Sequence, residues 1–401
     1  MRVSMFDPGN FTPYYVAKLA EPLSRLGIEV NVITSEPLFP DVEVRSTVAL
    51  EFHFFKLIGG ARRAFFRRHA TLRKVLKFSS YPFGLWRTWQ ALKHQPPGIL
   101  HIQWSLLPHL DAILIRKLRS QGWRVVYTAH EVVSELDQPI KRWRFGRIYR
   151  EADAVIVHTP GLARKLLDSG IMGQGEVRAI PEGVSTFPSS PGVDRKQARE
   201  VLGLNPTGPV LLFFGLIKPH KGLDSLLRAW LRVVEEFPDA RLLIAGEAML
   251  SLRSVEGLIR RLRIQESVTL RAGFVPRGEV QYLMCAADAV VLPYTRTSTS
   301  GVVPLAYRFA RPVVATSAGA LSELVKDGET GFVVAPGAEE PLAEAICRGF
   351  RNPERLAAMG ARARDWFEKE RGWDQIAQST AALYRFLLGT KIKTTTSAGA
   401  E

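Results

Sequence analysis

The feature that most constrains this chain is an alternation that occurs twice. Short apolar, β-branched runs bounded by turn residues recur between amphipathic stretches. In the first half a helical pattern over 14–26 follows the loop at Gly9, and apolar runs cover 28–34, 99–103, 123–129 and 154–159. In the second half the runs cover 209–215, 240–246, 267–272, 289–293, 312–316 and 331–334. Strands that are apolar throughout are buried on both faces, which is the property of parallel sheets whose crossover helices cover them. The pattern therefore predicts two doubly wound α/β domains. A length of 401 residues suits two domains of about 200 residues each. The Ser/Thr/Pro/Gly-rich segment 185–192 is a turn-rich connector. The expected division is a first domain over 1–185 and a second over 196–372, followed by an amphipathic helix at 373–388. The tail 389–401 has too few apolar residues to offset the entropy of ordering and is expected to be disordered.

Charge narrows the partners. Lys and Arg number 54 against 39 Asp and Glu, a formal net charge of +15. Such a surplus calls for nucleic acid, a phosphate-bearing substrate or an anionic membrane surface. It is concentrated: no acidic residue lies between Glu51 and Asp111, where Lys56, Arg62, Arg63, Arg67, Arg68, Arg73, Lys74, Lys77, Arg87 and Lys93 fall. A helix over 61–78 would place Ala61, Phe65, Leu72, Val75 and Leu76 on one face, with Arg62, Arg63, Arg67 and Lys74 around them. With Phe54, Phe55, Phe83 and Trp86 as apolar anchors, the segment 54–95 predicts docking on an anionic membrane. The alternative is a solvated helix that packs its Phe face on the first sheet. No nucleic-acid-binding module accompanies the basic stretch, so nucleic acid is not an expected partner. Cys285 and Cys347 match neither a disulfide framework nor a zinc site. With no apolar leader and no membrane-length apolar run, the expected setting is cytoplasmic and peripheral on the inner face of the membrane.

Three groups of residues can carry chemistry. Residues 214–222 follow an apolar strand and precede a helical pattern, which places backbone N–H groups and a positive helix end at the carboxyl edge of a sheet. Gly215, Lys218 and Lys221 there suit a diphosphate, or else form a loop with two solvated lysines. Residues 293–309 repeat the arrangement: Thr297, Ser298, Thr299 and Ser300 precede Gly301 and a helix beginning near Val302, a second anion cradle or a Ser/Thr-rich helix cap. Pro304 suits the first helical turn. The third group is Gly9, Asn10, His101, Gln103, His109, Asp111 and 127–131. His130 follows an apolar strand and should emerge at its carboxyl edge, whereas His101, early in its strand, reads as structural. No His/Asp/Glu set has metal spacing, and neither GxSxG nor a Walker A loop occurs, so no metal or cofactor is expected.

Taken jointly these segments resemble the retaining glycosyltransferases of family 4 (group 1), which have the GT-B fold, from Phe6 to about Leu388. The loop 8–10 matches the family's N-terminal Gly-rich loop, His130 its acceptor-side histidine, and 180–184 the segment before the linker. Gly215 to Gly222 match the diphosphate loop, and 311–323 the later signature, in which Glu323 keeps its place. The resemblance implies two Rossmann-like domains facing across a cleft. The first would hold the acceptor, with Gly9, Asn10, His130 and Glu131 on that side. The second would hold a nucleoside diphosphate sugar through Gly215, Lys218, Lys221, Thr297, Thr299, Ser300, Gly301, Val302 and Glu323. It also implies that the helix 373–388 returns to the first domain.

The implied activity is metal-independent, hexosyl-type sugar transfer, with retention, to a hydroxyl of a lipid-linked or oligosaccharide acceptor in polysaccharide or glycolipid synthesis. His130, Lys218 and Lys221 would be catalytic. The chain departs from the family pattern at Leu216, where an Arg is usual, and at Thr297 and Leu305, which replace a pair of glutamates. A divergent branch is one implication, and a non-catalytic nucleotide-sugar or glycan-binding scaffold is the other.

Overall fold

The computed structural model describes residues 1–36, 48–56, 69–183, 193–205 and 207–389, and they form two compact units. The first comprises 1–182 together with the chain from 373 onward, and the second comprises 183–372. The expected connector 185–192 lies outside the described residues, and so does the tail beyond Gly389.

The first unit is built on seven parallel strands: β1 (Arg2–Asp7), β2 (Glu29–Ser35), β3 (Ala49–Phe54), β4 (Ile99–Ile102), β5 (Arg124–Thr128), β6 (Ala154–Val157) and β7 (Glu176–Ala179). Their order is β3-β2-β1-β4-β5-β6-β7, so the winding reverses between β1 and β4. The helix Pro13–Arg25 and the final helix Trp373–Leu387 pack together on this sheet. Leu19, Leu23, Ile376, Ala381 and Tyr384 share one core with Met5, Val32 and Ile99. In that position the last helix buries its apolar face, Ile376, Ala377, Ala381, Leu383 and Tyr384. The strands β1, β3 and β7 were not among the expected runs. β3 and β7 are edge strands with half-exposed or polar residues, and β1 is cut short by Asp7 and Pro8.

The second unit has six parallel strands: β8 (Val210–Phe214), β9 (Arg241–Gly246), β10 (Val268–Ala272), β11 (Ala289–Leu292), β12 (Val313–Thr316) and β13 (Gly331–Val334). The order β10-β9-β8-β11-β12-β13 reverses between β8 and β11. Alternate residues of β8 serve opposite faces: Leu211 and Phe213 pack with Trp230, while Val210 and Leu212 pack with Val290 and Tyr307. Both faces are apolar because both are covered by helices. At the amino edge of the sheet the buried Arg199 donates to the carbonyls of Ala286 (3.0 Å) and Gly208 (2.7 Å) and to Asp288 (2.7 Å). A buried guanidinium is tolerated there because its donors are matched.

The basic stretch is described from residue 69, so the expected face residues Ala61 and Phe65, with Arg62, Arg63 and Arg67, lie outside the described residues. The helix Ala70–Leu92 buries Tyr81, Leu85, Thr88 and Leu92 and turns Leu72, Val75, Phe78, Phe83 and Trp86 outward. Leu76 is half-buried rather than a member of the exposed face. Phe54 and Phe55, expected as surface anchors, are buried instead. Phe54 packs against Phe6 and Tyr81 and over Gly84, where a Cβ would stand 2.2 Å from its ring. No helix among the described residues is long and apolar enough to cross a membrane.

Candidate functional site

In the second unit most candidate residues follow β8 and β11, the strands that flank the reversal of winding, with Glu323 after β12; in the first, Gly9 and Asn10 follow β1, which flanks the reversal, and His130 and Glu131 follow β5, one strand beyond it. Open parallel sheets bind ligands at such a reversal, because neighbouring loops diverge to opposite faces and leave a crevice.

In the second unit Gly215 follows β8 with φ +111°. Its carbonyl oxygen approaches Gly246 so closely that a Cβ on Gly246 would stand 1.9 Å away. Pro219–Lys221 make one 3-10 turn beginning at Lys218, and Gly222, at φ +69°, opens the helix Leu223–Glu236. The loop after β11 is docked onto this one. Thr295 N–H donates to the His220 carbonyl (2.9 Å), and a Cβ at Gly222 would lie 1.8 Å from the Pro293 oxygen. The Lys221 ammonium stands 3.5 Å above the centre of the Tyr294 ring, a cation–π contact. The Tyr294 hydroxyl is 3.3 Å from Ser300 Oγ, and burial pushes its pKa up to about 12, so it remains a neutral bridge between the two loops.

The second loop is itself tightly wound. Thr297 Oγ1 donates to the Thr299 carbonyl (2.6 Å), Ser300 Oγ accepts from Val302 N–H (3.4 Å), and Gly301 precedes the helix Val302–Arg308. Ala320 N–H donates to the Ser298 carbonyl (3.1 Å), which brings the loop after β12, and with it the one-turn helix carrying Glu323, against this one. Thr299 Oγ1 is buried without a partner among the described residues, a desolvated donor that a bound ligand would satisfy. Leu216 is exposed beside Gly215. Leu305 lies in the apolar core with Val290 and Tyr307, so its side chain is spent on packing. Gly215, Lys218, Lys221, Thr297, Thr299, Ser300, Gly301, Val302 and Glu323 thus all lie on loops or helix starts at one edge of one sheet.

In the first unit Asp7 ends β1, and its carboxylate accepts from Phe11 N–H and Thr12 N–H (both 3.1 Å). Burial raises its pKa to about 6, while those amides pull in the other direction. This clamp shapes the turn of Gly9 and Asn10. Asn10 takes φ +52° and donates its side-chain amide to the Ser35 carbonyl (3.0 Å). After β5, His130 stacks on Trp104 with ring centres 5.0 Å apart and meets the edge of Tyr15 at 5.2 Å. Its Nδ1 is 3.1 Å from His158 Nε2, and its Nε2 is 3.3 Å from Gln103 Oε1. Burial first, then repulsion from His158 and His101, holds its pKa well below the ordinary histidine value. Glu131, next to it, is exposed and 3.7 Å from Lys141. His101 is fully buried between Tyr384 Oη (2.5 Å) and Thr128 Oγ1 (2.7 Å), and burial pushes it down to about 3.

Sequence reasoning missed His158, Trp104, Tyr15 and Tyr294. Each follows a strand or opens a helix, but only the fold brings them to the candidate residues. Among the described residues no group of three or more His, Cys, Asp or Glu is placed to hold a metal ion.

Comparison with known proteins agrees with this geometry. Residues 13–186 match the family model described as Glycosyltransferase Family 4, and residues 208–352 match the one described as Glycosyl transferases group 1. A D-inositol 3-phosphate glycosyltransferase of Segniliparus rotundus is 32% identical over 67% of this chain and 62% of its own length. One of Actinosynnema mirum is 28% identical over 92% of this chain and 90% of its own length. Among solved structures, sucrose-phosphate synthase of Thermosynechococcus elongatus superposes with a TM-score of 0.75 at 22% identity, covering 98% of this chain and 100% of the other. Anabaena HepE in complex with UDP and glucose gives 0.75 at 19% identity, covering 96% and 99%. With one half matched to each of two glycosyltransferase models and the fold shared end to end, the chain belongs to the family 4, group 1 glycosyltransferases.

Proposed function

We propose that this protein transfers a sugar from a nucleoside diphosphate sugar to a hydroxyl group, with retention at the anomeric carbon. The observation that carries the reading is the docking of the two loops after β8 and β11, which holds Lys221 over Tyr294, whose hydroxyl lies 3.3 Å from Ser300 just before the second loop's helix. In the reaction the bond between the anomeric carbon and the diphosphate oxygen breaks, and negative charge gathers on the departing diphosphate. Lys218, Lys221 and the helix-start amides would stabilise that charge, and donors fixed before the reaction pay no reorganisation cost. The acceptor oxygen bonds to the same face of the sugar, and its proton passes to a leaving phosphate oxygen. His130 would orient a sugar hydroxyl from the first unit. The positive charge comes from lysines and amides, and no metal is invoked.

The acceptor proposed is lipid-linked or an oligosaccharide, met at the membrane. The support is the helix Ala70–Leu92, where Val75, Phe83 and Trp86 are 59%, 60% and 53% exposed amid Arg73, Lys74, Lys77 and Arg87. Flotation with anionic vesicles should carry the protein, and Phe83→Ser with Trp86→Ser should weaken it. Equal flotation with neutral vesicles refutes the membrane reading. A second reading follows from the relatives' names, which specify inositol 3-phosphate as acceptor. Transfer to inositol phosphate with none to lipid-linked sugars would favour it.

The catalytic proposal is tested by screening nucleoside diphosphates for thermal stabilisation, since a ligand of the folded state raises its midpoint by mass action. Lys221→Ala should abolish most of the shift, and an undiminished shift removes Lys221 from the site. Slow hydrolysis of a nucleotide sugar without acceptor separates an enzyme from a binding scaffold.

A further inference from the structure

The carboxyl ends of β4, β5 and β6 deliver Gln103, His130 and His158 side by side, and a fourth strand supplies what orders them. His158 is buried, and its Nδ1 lies 3.2 Å from the carbonyl oxygen of Ile180, just beyond β7. A carbonyl oxygen can only accept, so Nδ1 of His158 carries a proton. In the neutral ring its Nε2 must then accept, and the atom facing it at 3.1 Å is Nδ1 of His130. The proton of His130 is therefore on Nδ1, and its Nε2 presents a lone pair.

The rest of the chain of contacts can follow the same direction. Gln103 places its amide end 3.3 Å from His130 Nε2, and a half-turn of the amide, which exchanges two atoms of nearly equal size, brings its NH2 there as a donor. The amide oxygen then faces His101 Nε2, 3.0 Å from the present amide nitrogen, and the Tyr384 hydroxyl donates to His101 Nδ1. Donation then runs one way from Tyr384 to the Ile180 carbonyl. Only that last acceptor is fixed by the backbone, and it sets the polarity at His158 and His130, whereas at His101 the Thr128 hydroxyl 2.7 Å from Nε2 can either accept or donate.

The geometry points to His158 as a positioning residue that holds His130 in its Nδ1–H tautomer, so that Nε2 can accept from a sugar hydroxyl that displaces the Gln103 amide. Without a fixed acceptor at Nδ1, the His130 ring could protonate either nitrogen, and the Nε2–H form would repel a hydroxyl donor or force it to reverse. The proposal rests on the reading of His130 as the residue that meets the sugar, but its test does not.

The experiment is a long-range proton–nitrogen spectrum of the full chain labelled in histidine, recorded where the ring is neutral, with the His130 signals assigned by their loss in His130→Ala. The expected result is a protonated Nδ1 and an unprotonated Nε2 at His130. His158→Gln keeps a carbonyl oxygen where His158 Nε2 stood and should retain that pattern. His158→Asn reaches only to the Ile180 side and should lose it, while both variants unfold at similar temperatures. A proton on Nε2 of His130 in the native protein, a doubly protonated His130, or the same tautomer in the Asn and Gln variants would overturn the assignment. Full turnover in His130→Ala would instead overturn the role given to His130 in the reaction and leave the nitrogen pattern standing.

Discussion

Gly222→Ala tests whether the two loops of the nucleotide-side site are one packed object. The new Cβ would stand 1.8 Å from the Pro293 carbonyl oxygen on a backbone at φ +69°. Left-handed backbone costs a residue with a Cβ about 1–2 kcal/mol. The overlap is with backbone and can be relieved only if the loops part by more than an ångström, an overpacking cost of about 1–3 kcal/mol. That movement also breaks the 2.9 Å bond from Thr295 N–H to the His220 carbonyl, worth about 1 kcal/mol. The total is about 3–6 kcal/mol. Gly328→Ala is the control, because Gly328 has φ +75° but open space around its missing Cβ, so only the backbone cost of about 1–2 kcal/mol applies. In a unit of this size 1 kcal/mol moves the melting temperature by about 2–4 °C, so Gly222→Ala should melt roughly 4–16 °C below Gly328→Ala. Circular dichroism melts of the two variants measure the difference. Equal melting temperatures would refute the idea that close backbone approach, rather than conformation alone, demands glycine at 222.

Other outcomes follow from buried charge. Asp111 and Glu135 are pushed up to about 7 by burial, although Tyr81 and Ser105 donate to the first and Tyr127 and Tyr149 to the second. A raised carboxyl pKa favours the folded state below the unfolded value and loses that contribution as pH rises through the folded value. Asp111→Asn should therefore lose less stability than the native chain between pH 5 and 8, by on the order of 2 kcal/mol in denaturant titrations. Arg199→Ala strips partners from Asp288 and three carbonyls and should cost about 3–5 kcal/mol. Arg199→Lys should recover little of this in urea unfolding, because one ammonium cannot reach all four acceptors.

Much of this fold was legible because burial on both faces writes itself into sequence as unbroken apolar runs, as at β8, β9 and β11. The edge strands Ala49–Phe54 and Glu176–Ala179 escaped notice because their half-exposed or polar residues break the apolar run, whereas the edge strands β10 and β13 were read from theirs. The nucleotide-side loops were legible for a related reason: glycine and small hydroxyl residues directly after a buried strand must fall at the sheet's carboxyl edge. Phe54 and Phe55 show the limit of that reasoning. An aromatic pair beside a basic stretch has the same composition whether it faces water or, as here, packs over Gly84.

By itself the sequence determined the two parallel sheets, the strand ends at which ligands can bind, and the residue types offered there. These depend on local period and burial, which are written along the chain. Tertiary structure alone decided that Lys221 lies over Tyr294, that Gly222 must let Pro293 approach, and that His130 is ordered by His158 and the Ile180 carbonyl. Those pairings join residues 22 to 73 positions apart, each contributed by a different strand. Strand order, not sequence distance, makes them neighbours.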